Sequence, residues 1–423
     1  MSTSESLNKK TIGSWIIHHS QKLQEVSLAT ADYEQISFAG KCGVILNALA
    51  GTDQTDIPNT RLQALSKASG VSTRAELPTV LDELERQRLI DKSSTGVSVL
   101  GLTSGQILEK TAQIFVESNP NNAEKAAIKL SEKASERPVE KKDAVEYVSD
   151  AYRIRSEEAS DILDQCGEIG FFDSEVVSGS CIYFNGNLFR RNDIAKTQAV
   201  ISSLSPEDER NMKELMIRLK TAGCISKDDA KKILGDTLYS KMCSIGFVDE
   251  NSIGNEKGLF SFVTLPSTFT KFTGSAVDDA FDLAKAFVTS LTYGMTSSAY
   301  SRGRIRMIEA LMRRLINGDW IGPATAIGQD YKVLEMKGVV KVRQTMGSRF
   351  SMKLLKKEVG QLALSVITEG EVSGSPLLEM PSVSATKYCG PESSRSIIRK
   401  RQPKQLKMGV AKLLSDLRTG GIQ

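Results

Sequence analysis

The sequence predicts a mainly α fold with small β-hairpins, an α+β chain laid out as a tandem array of three to four small domains. Three observations predict it. A short phrase recurs where helix-like stretches give way to strand-like ones: Arg88-Leu89-Ile90-Asp91, Gly170-Phe171-Phe172-Asp173, Gly246-Phe247-Val248-Asp249 and Gly338-Val339-Val340-Lys341. Turn residues and a second extended stretch follow each copy, as in Cys181-Ile182-Tyr183-Phe184 and Leu259-Phe260-Ser261-Phe262-Val263. The copies begin 82, 76 and 92 residues apart, too long a period for a solenoid and suited to a row of domains. Gly opens three copies, and Gly adopts the left-handed conformation at low cost just past a helix end.

Residues 1–36 read as an N-terminal helical segment. In the first domain, 37–118, apolar residues fall at helical spacing in blocks 41–50, 61–69 and 73–87. Ser72 and Thr73 are plausible N-caps for the last block, with Glu76 placed to close a capping box. Three helices followed by a β-hairpin resembles the winged-helix family. The resemblance implies that the third helix, 73–87, corresponds to the one that enters a DNA major groove, and that 91–102 is the wing.

Residues 119–140 read as a charged linker holding a helix over 123–134. The second copy, 141–204, is degenerate, with helices at 141–147 and 156–169 and a hairpin turning at Asn185-Gly186. The third, 205–272, opens on the helix start Ser205-Pro206-Glu207-Asp208-Glu209. Its helices are expected at 211–222, 227–234 and 237–245, with a hairpin turning around Gly254-Asn255. A connecting helix within 273–300 carries an apolar stripe (Phe281, Leu283, Ala284, Phe287, Val288, Leu291), suited to a core or to a second copy. The fourth, 301–370, is expected to place helices at 302–316, 323–327 and 331–337 and to turn near Met346-Gly347. Residues 371–423 read as a linker and basic tail.

Forty per cent hydrophobic and 25% charged residues are ordinary for a globular chain, and no apolar run is long enough to span a bilayer. The first ten residues lack the apolar core of a secretory signal. Six cysteines without a C-x-x-C pair fit a reducing, cytoplasmic setting; Cys42, Cys166 and Cys243 read as buried small hydrophobes.

The net charge of +4 conceals an asymmetry. Residues 301–423 hold 22 Lys or Arg against 10 Asp or Glu, and residues 1–300 hold 33 against 41. Such a split points to a polyanion-binding end, because basic side chains displace counterions from phosphate and Arg pairs with it through two hydrogen bonds. The candidate nucleic-acid-binding residues are Arg302, Arg304, Arg306, Arg313 and Arg314 around the first helix of the fourth domain. Lys337, Lys341, Arg343, Arg349 and Lys353 continue the set through its hairpin, and Arg399, Lys400, Arg401 and Lys404 lie in the tail. In the first domain Arg74, Arg86 and Arg88 share their helix with Glu76, Asp82, Glu83 and Glu85. The second carries Glu157, Glu158, Asp161, Asp164 and Glu168, a pattern suited to protein partners.

Signs of catalysis are few. His18 and His19 are the only histidines and read as incidental surface residues, which removes most nucleophilic triads and the usual zinc sets. No phosphate-binding glycine loop is present. Asp319 or Asp330 with Glu335 and Lys337 is the one nuclease-like grouping. The expectation is therefore a non-enzymatic, cofactor-free protein. It binds double-stranded DNA through its C-terminal third and forms homo-oligomers or protein complexes through the rest. The alternatives are a scaffold subunit touching only proteins, and an RNA-binding protein.

Overall fold

The computed structural model describes residues 7–25, 31–50, 56–99, 101–189, 193–272 and 278–370. Among the described residues the architecture is α+β, with many helices and four small antiparallel sheets of three strands each. One order of elements, helix, strand, two helices, then two strands, recurs four times. Helix α1 (Lys9–Glu25) precedes the first repeat, which comprises α2 (Glu34–Ala50), β1 (Asp56–Pro58), α3 (Asn59–Ala68), α4 (Leu77–Arg86), β2 (Ile90–Lys92) and β3 (Gly96–Val99). After α5 (Ser104–Glu117) comes the second: α6 (Asn122–Glu136), β4 (Val139–Glu140), α7 (Lys141–Tyr152), α8 (Ser156–Ile169), β5 (Asp173–Val177) and β6 (Ser180–Phe184). Beyond α9 (Ile194–Ser202) lies the third: α10 (Pro206–Ala222), β7 (Ile225–Ser226), α11 (Lys227–Ser244), β8 (Asp249–Asn255) and β9 (Gly258–Thr264). Gly235 breaks α11 in two, so the count of helices is kept. Then come α12 (Pro266–Thr270), α13 (Asp278–Thr296) and the fourth repeat: α14 (Ile308–Ile316), β10 (Ile321–Ala324), α15 (Ile327–Asp330), α16 (Lys332–Met336), β11 (Val340–Met346) and β12 (Arg349–Leu354). Helix α17 (Lys357–Glu369) follows. In every sheet the last strand of the repeat lies in the middle, giving β1-β3-β2, β4-β6-β5, β7-β9-β8 and β10-β12-β11.

The recurring phrase has one physical basis in all four copies. Its first residue ends the preceding helix with a positive φ: 56° at Arg88, 88° at Gly170, 69° at Gly246 and 67° at Gly338. The two apolar residues that follow turn inward and are buried in each repeat. Arg88 adopts a conformation costing a non-glycine residue about 1 kcal/mol.

The chain divides into two compact units, one up to Gly186 and one from Asn187. In the first, α1 is core. Trp15 donates to Glu132 Oε2 of α6 at 2.8 Å, Lys22 Nζ donates to the Gly170 carbonyl at 2.6 Å, and the His19 ring lies 4.1 Å from that of Phe171. The surface reading of His18 and His19 is corrected: both are buried, because α1 packs between α2, α5 and α6. At Gly40 a Cβ would stand 2.2 Å from Ser20 Cβ, so α1 and α2 approach too closely for any side chain there. Glu124, also buried, accepts the Gln35 and Ile36 amides at 2.7 and 3.0 Å, and the Asn121 amide at 2.9 Å. One carboxylate thus caps both α2 and α6.

Other expectations change. The helix expected at 123–134 is present as α6, but the segment 119–140 is not a linker: Ala126, Ala127, Ile128, Leu130 and Ala134 of α6 are buried, and α6 is the first helix of the second repeat. The second hairpin turns at Ser178-Gly179 rather than at Asn185-Gly186. Both turn residues have positive φ (51° and 86°), the geometry of a two-residue hairpin loop. Asn185 is buried and donates to Ser135 Oγ at 2.8 Å. The third hairpin turns at Glu256-Lys257, two residues late. Residues 321–324, partly expected as helix, form β10 around Gly322-Pro323, and α14 starts at Ile308 rather than 302. Cys42 and Cys166 are buried, whereas Cys243 is half-buried.

In the second unit α13 turns Phe281, Ala284, Phe287, Val288 and Leu291 inward and packs on α17 and β8, so its apolar stripe is core rather than a face for a second copy. Among the described residues no helix is long and apolar enough to cross a membrane.

Candidate nucleic-acid interface

In the fourth repeat β12 pairs with β10 on one side and β11 on the other. Strand alternation puts Lys341 and Arg343 of β11 on one face with Ser351 and Lys353 of β12. The register sets Lys341 directly opposite Lys353 and Arg343 opposite Ser351. Trp320, immediately before β10, lies under Arg343, whose guanidinium carbon is 4.0 Å from the ring centroid. A cation over an aromatic face is attracted by the ring quadrupole, which holds the guanidinium in place with its donors free for an outside acceptor. Arg349 stands at the hairpin end and Lys337 just after α16, both exposed.

Among the described residues Lys337, Lys341, Arg343, Arg349 and Lys353 form no ion pair. The other repeats differ. Lys92 bonds Asp82 and lies 2.9 Å from Glu85, and Arg86 bonds Glu83 at 2.7 Å. Lys141 bonds Asp164 at 2.6 Å and Lys227 bonds Glu250 at 2.8 Å. In the last two pairs a tyrosine completes the site, Tyr183 donating to Asp164 at 3.0 Å and Tyr239 to Glu250 at 2.8 Å. Lys92, Lys141 and Lys227 are thus each paired within their own repeat, whereas among the described residues the cations on the fourth sheet are not.

The arginines before and within α14 diverge. Arg304 and Arg306 both lie 5.2 Å from the ring of exposed Tyr300, and Arg304 Nε donates to the Met295 carbonyl at 2.8 Å. Arg313 and Arg314 are exposed and reach Glu309 and Asp319 only at 4.0 and 3.7 Å, contacts worth little in water. Arg302 is corrected: it is buried, with Nη2 2.6 Å from Glu256 and 2.9 Å from Asp330, so it cannot meet a phosphate. Asp330 also accepts from Asn255 Nδ2 at 3.0 Å. Burial pushes the Asp330 carboxyl up, against the pull of Arg302. Arg399, Lys400, Arg401 and Lys404 lie outside the described residues.

The helix that the winged-helix resemblance aligns with a groove reader, expected at 331–337, is α16, only five residues long. Its exposed side includes Val333 and Met336, the latter 86% exposed. Of the nuclease-like grouping, Asp330 is engaged by Arg302 and Asn255, Asp319 lies 3.7 Å from Arg314, and Glu335 and Lys337 are exposed. Among the described residues no three His, Cys, Asp or Glu side chains cluster as metal ligands. A cleft of about 370 Å³ lies between β8, α13 and the α15–α16 segment, lined by Glu250, Asp282, Lys285, Thr289, Gln329 and Lys332 among others.

Sequence reading missed Trp320 and Tyr300. The signal was present: each aromatic stands within a few residues of the basic run, and one of only two tryptophans lies between the helices expected at 302–316 and 323–327. It also missed the first strand of every repeat. The sign is a lone buried aliphatic just ahead of a helix, as in Ile57, Val139 and Ile225. Compared with known protein families, with curated proteins and with solved structures, the chain matches none.

Proposed function

We propose that this chain is a non-enzymatic, tandem winged-helix protein that binds duplex DNA through its fourth repeat. One observation carries the reading: among the described residues the cations of the fourth sheet have no carboxylate partners, and where that sheet carries Lys341 the other three repeats carry Asp91, Asp173 and Asp249. Lys341 and Lys353, directly opposed, repel each other until an anion sits between them. Phosphate is that anion. Arg343, steadied by Trp320, donates to it, and exposed Lys337 and Arg349 of the same repeat add positive charge. Contacts of this kind fix position on a backbone rather than read bases. The short α16 contributes Val333 and Met336, suited to apolar contact with a thymine methyl. The first three repeats, whose hairpins carry acidic Asp91, Asp173 and Asp249, supply the protein-binding part of the reading.

The test compares two variants of equal charge change. In one, Lys341, Arg343 and Lys353 become Gln; in the other, Lys227, Lys231 and Lys232 do. Binding of a labelled duplex at low salt should fall steeply in the first and little in the second. Equal losses would show that only net charge matters, and an absence of binding by the intact protein would favour the scaffold alternative. A preference for single-stranded RNA over duplex would favour the RNA alternative.

A further inference from the structure

The second repeat is the electrostatic counterpart of the fourth. Residues 119–186 hold 8 Lys or Arg against 14 Asp or Glu, and residues 301–370 hold 13 against 6. On α7, Asp143, Glu146 and Asp150 follow one another at helical spacing and are exposed; on α8, Glu157, Glu158 and Asp161 are exposed. None of the six forms an ion pair among the described residues. Glu157 and Glu158 have a local reason to be there, since carboxylates in a first turn favour the helix dipole. Asp143 has the same reason on α7, whereas Glu146 and Asp150 have none. Like charges three and four residues apart destabilise a helix, and Asp150 stands in the last turn, where the dipole opposes a negative charge.

Two patches of opposite sign, each unfavourable in isolation, are therefore carried by one chain. We propose that the acidic face of α7 and α8 on one copy docks on the basic sheet face of the fourth repeat of a second copy. The contact joins two different patches, so it is head-to-tail: each pair of copies leaves one patch of each sign open, and assembly grows with concentration until it closes on itself. A polynucleotide and a second copy would compete for Lys341, Arg343 and Lys353, so the phosphate reading above and this contact share one surface but fail separately.

The experiment is sedimentation velocity of the full chain over a concentration series, with two variants. Glu146→Lys, Asp150→Lys and Asp161→Lys together reverse the acidic face while avoiding the first turn of either helix. Lys341→Glu, Arg343→Glu and Lys353→Glu together reverse the basic one. The intact protein should form species that grow with concentration, and its association should weaken by about tenfold or more from ~50 to ~500 mM salt as the screening length contracts. Each variant alone should stay monomeric. An equimolar mixture should assemble again, because the acidic-face variant retains its basic patch, the basic-face variant its acidic one, and the two reversed patches are themselves of opposite sign. Unfolding midpoints of both variants close to that of the intact protein exclude misfolding as the cause. A monomeric intact protein in low salt, assembly that persists in either variant alone, or a mixture that stays monomeric would each overturn the proposal. Duplex binding reports separately: the acidic-face variant should keep it whether or not assembly is found.

Discussion

Lys341 and Lys353 stand directly opposite one another across β11 and β12, and neither has a carboxylate partner among the described residues. Like charges at such positions destabilise a sheet, and an opposite-charge pair contributes roughly 0.2–1 kcal/mol. We therefore expect Lys341→Glu to raise the denaturant midpoint of the chain while weakening duplex binding. The two effects of opposite sign, read on one variant by chemical unfolding and by a binding titration, separate a ligand-binding cation from a structural one. A loss of both stability and binding would contradict this.

Trp320 acts through Arg343. Removing the ring frees the guanidinium without removing its charge, so Trp320→Ala should weaken binding severalfold, in keeping with a cation–π contact of about 0.5–1 kcal/mol. Trp320→Phe should recover part of the loss. Equal effects of the two substitutions would exclude the positioning role.

Arg302 and Asp330 tie the third hairpin to the fourth repeat, since Asn255 and Glu256 at the tip of the β8–β9 hairpin bond the same pair. Asp330→Ala leaves the buried guanidinium only Glu256 as a carboxylate partner and should cost up to roughly 3 kcal/mol, below the full penalty of an unpaired buried charge and read as a drop in the urea midpoint. Replacing both residues with apolar ones of similar size should restore most of it. If the single substitution were silent, the pair would be dispensable.

The contrast between Arg302 and Arg343 shows what the sequence made legible. Both stand in the same basic run, and composition alone gives each the same prospect of meeting phosphate. Which one is buried depends on Asp330 and Glu256, 28 and 46 residues away in the chain, and no local pattern reports that. The helix-to-strand junctions were legible because they are local: a left-handed residue and a buried apolar pair in sequence suffice. Arg88 shows that the pattern survives without Gly. The first strands escaped notice because two to four residues cannot display a period. Residues 119–140 looked like a linker because their charged residues outnumber large apolar ones, yet Ala126, Ala127 and Ala134 make a close-packing helical face. The histidines were misplaced for a related reason. Their burial follows from α1 lying among three helices, which hydropathy near Trp15 does not reveal.

That burial sets a pH dependence. His19 is wholly enclosed, and desolvation, with His18 and Lys22 adding repulsion, holds its pKa well below 6.5. The unfolded chain, with the ordinary value near 6.5, takes up a proton first as pH falls. Stability contributed by a neutral His19 is therefore intact above that pH and is lost progressively below it. Urea midpoints should hold from pH 8 to about 7 and decline between about 6.5 and 5. His19→Phe should flatten that decline; an unchanged decline would assign it to other groups.

The most direct measurement is the slope of log binding constant against log salt for a duplex long enough to cover the fourth repeat. Each phosphate contact contributes about −0.9 to that slope. Replacing Lys341, Arg343 and Lys353 with Gln should make it shallower by roughly 2.7, one increment for each lost contact. An unchanged slope in that variant would contradict the assignment of the fourth sheet as the phosphate-binding face.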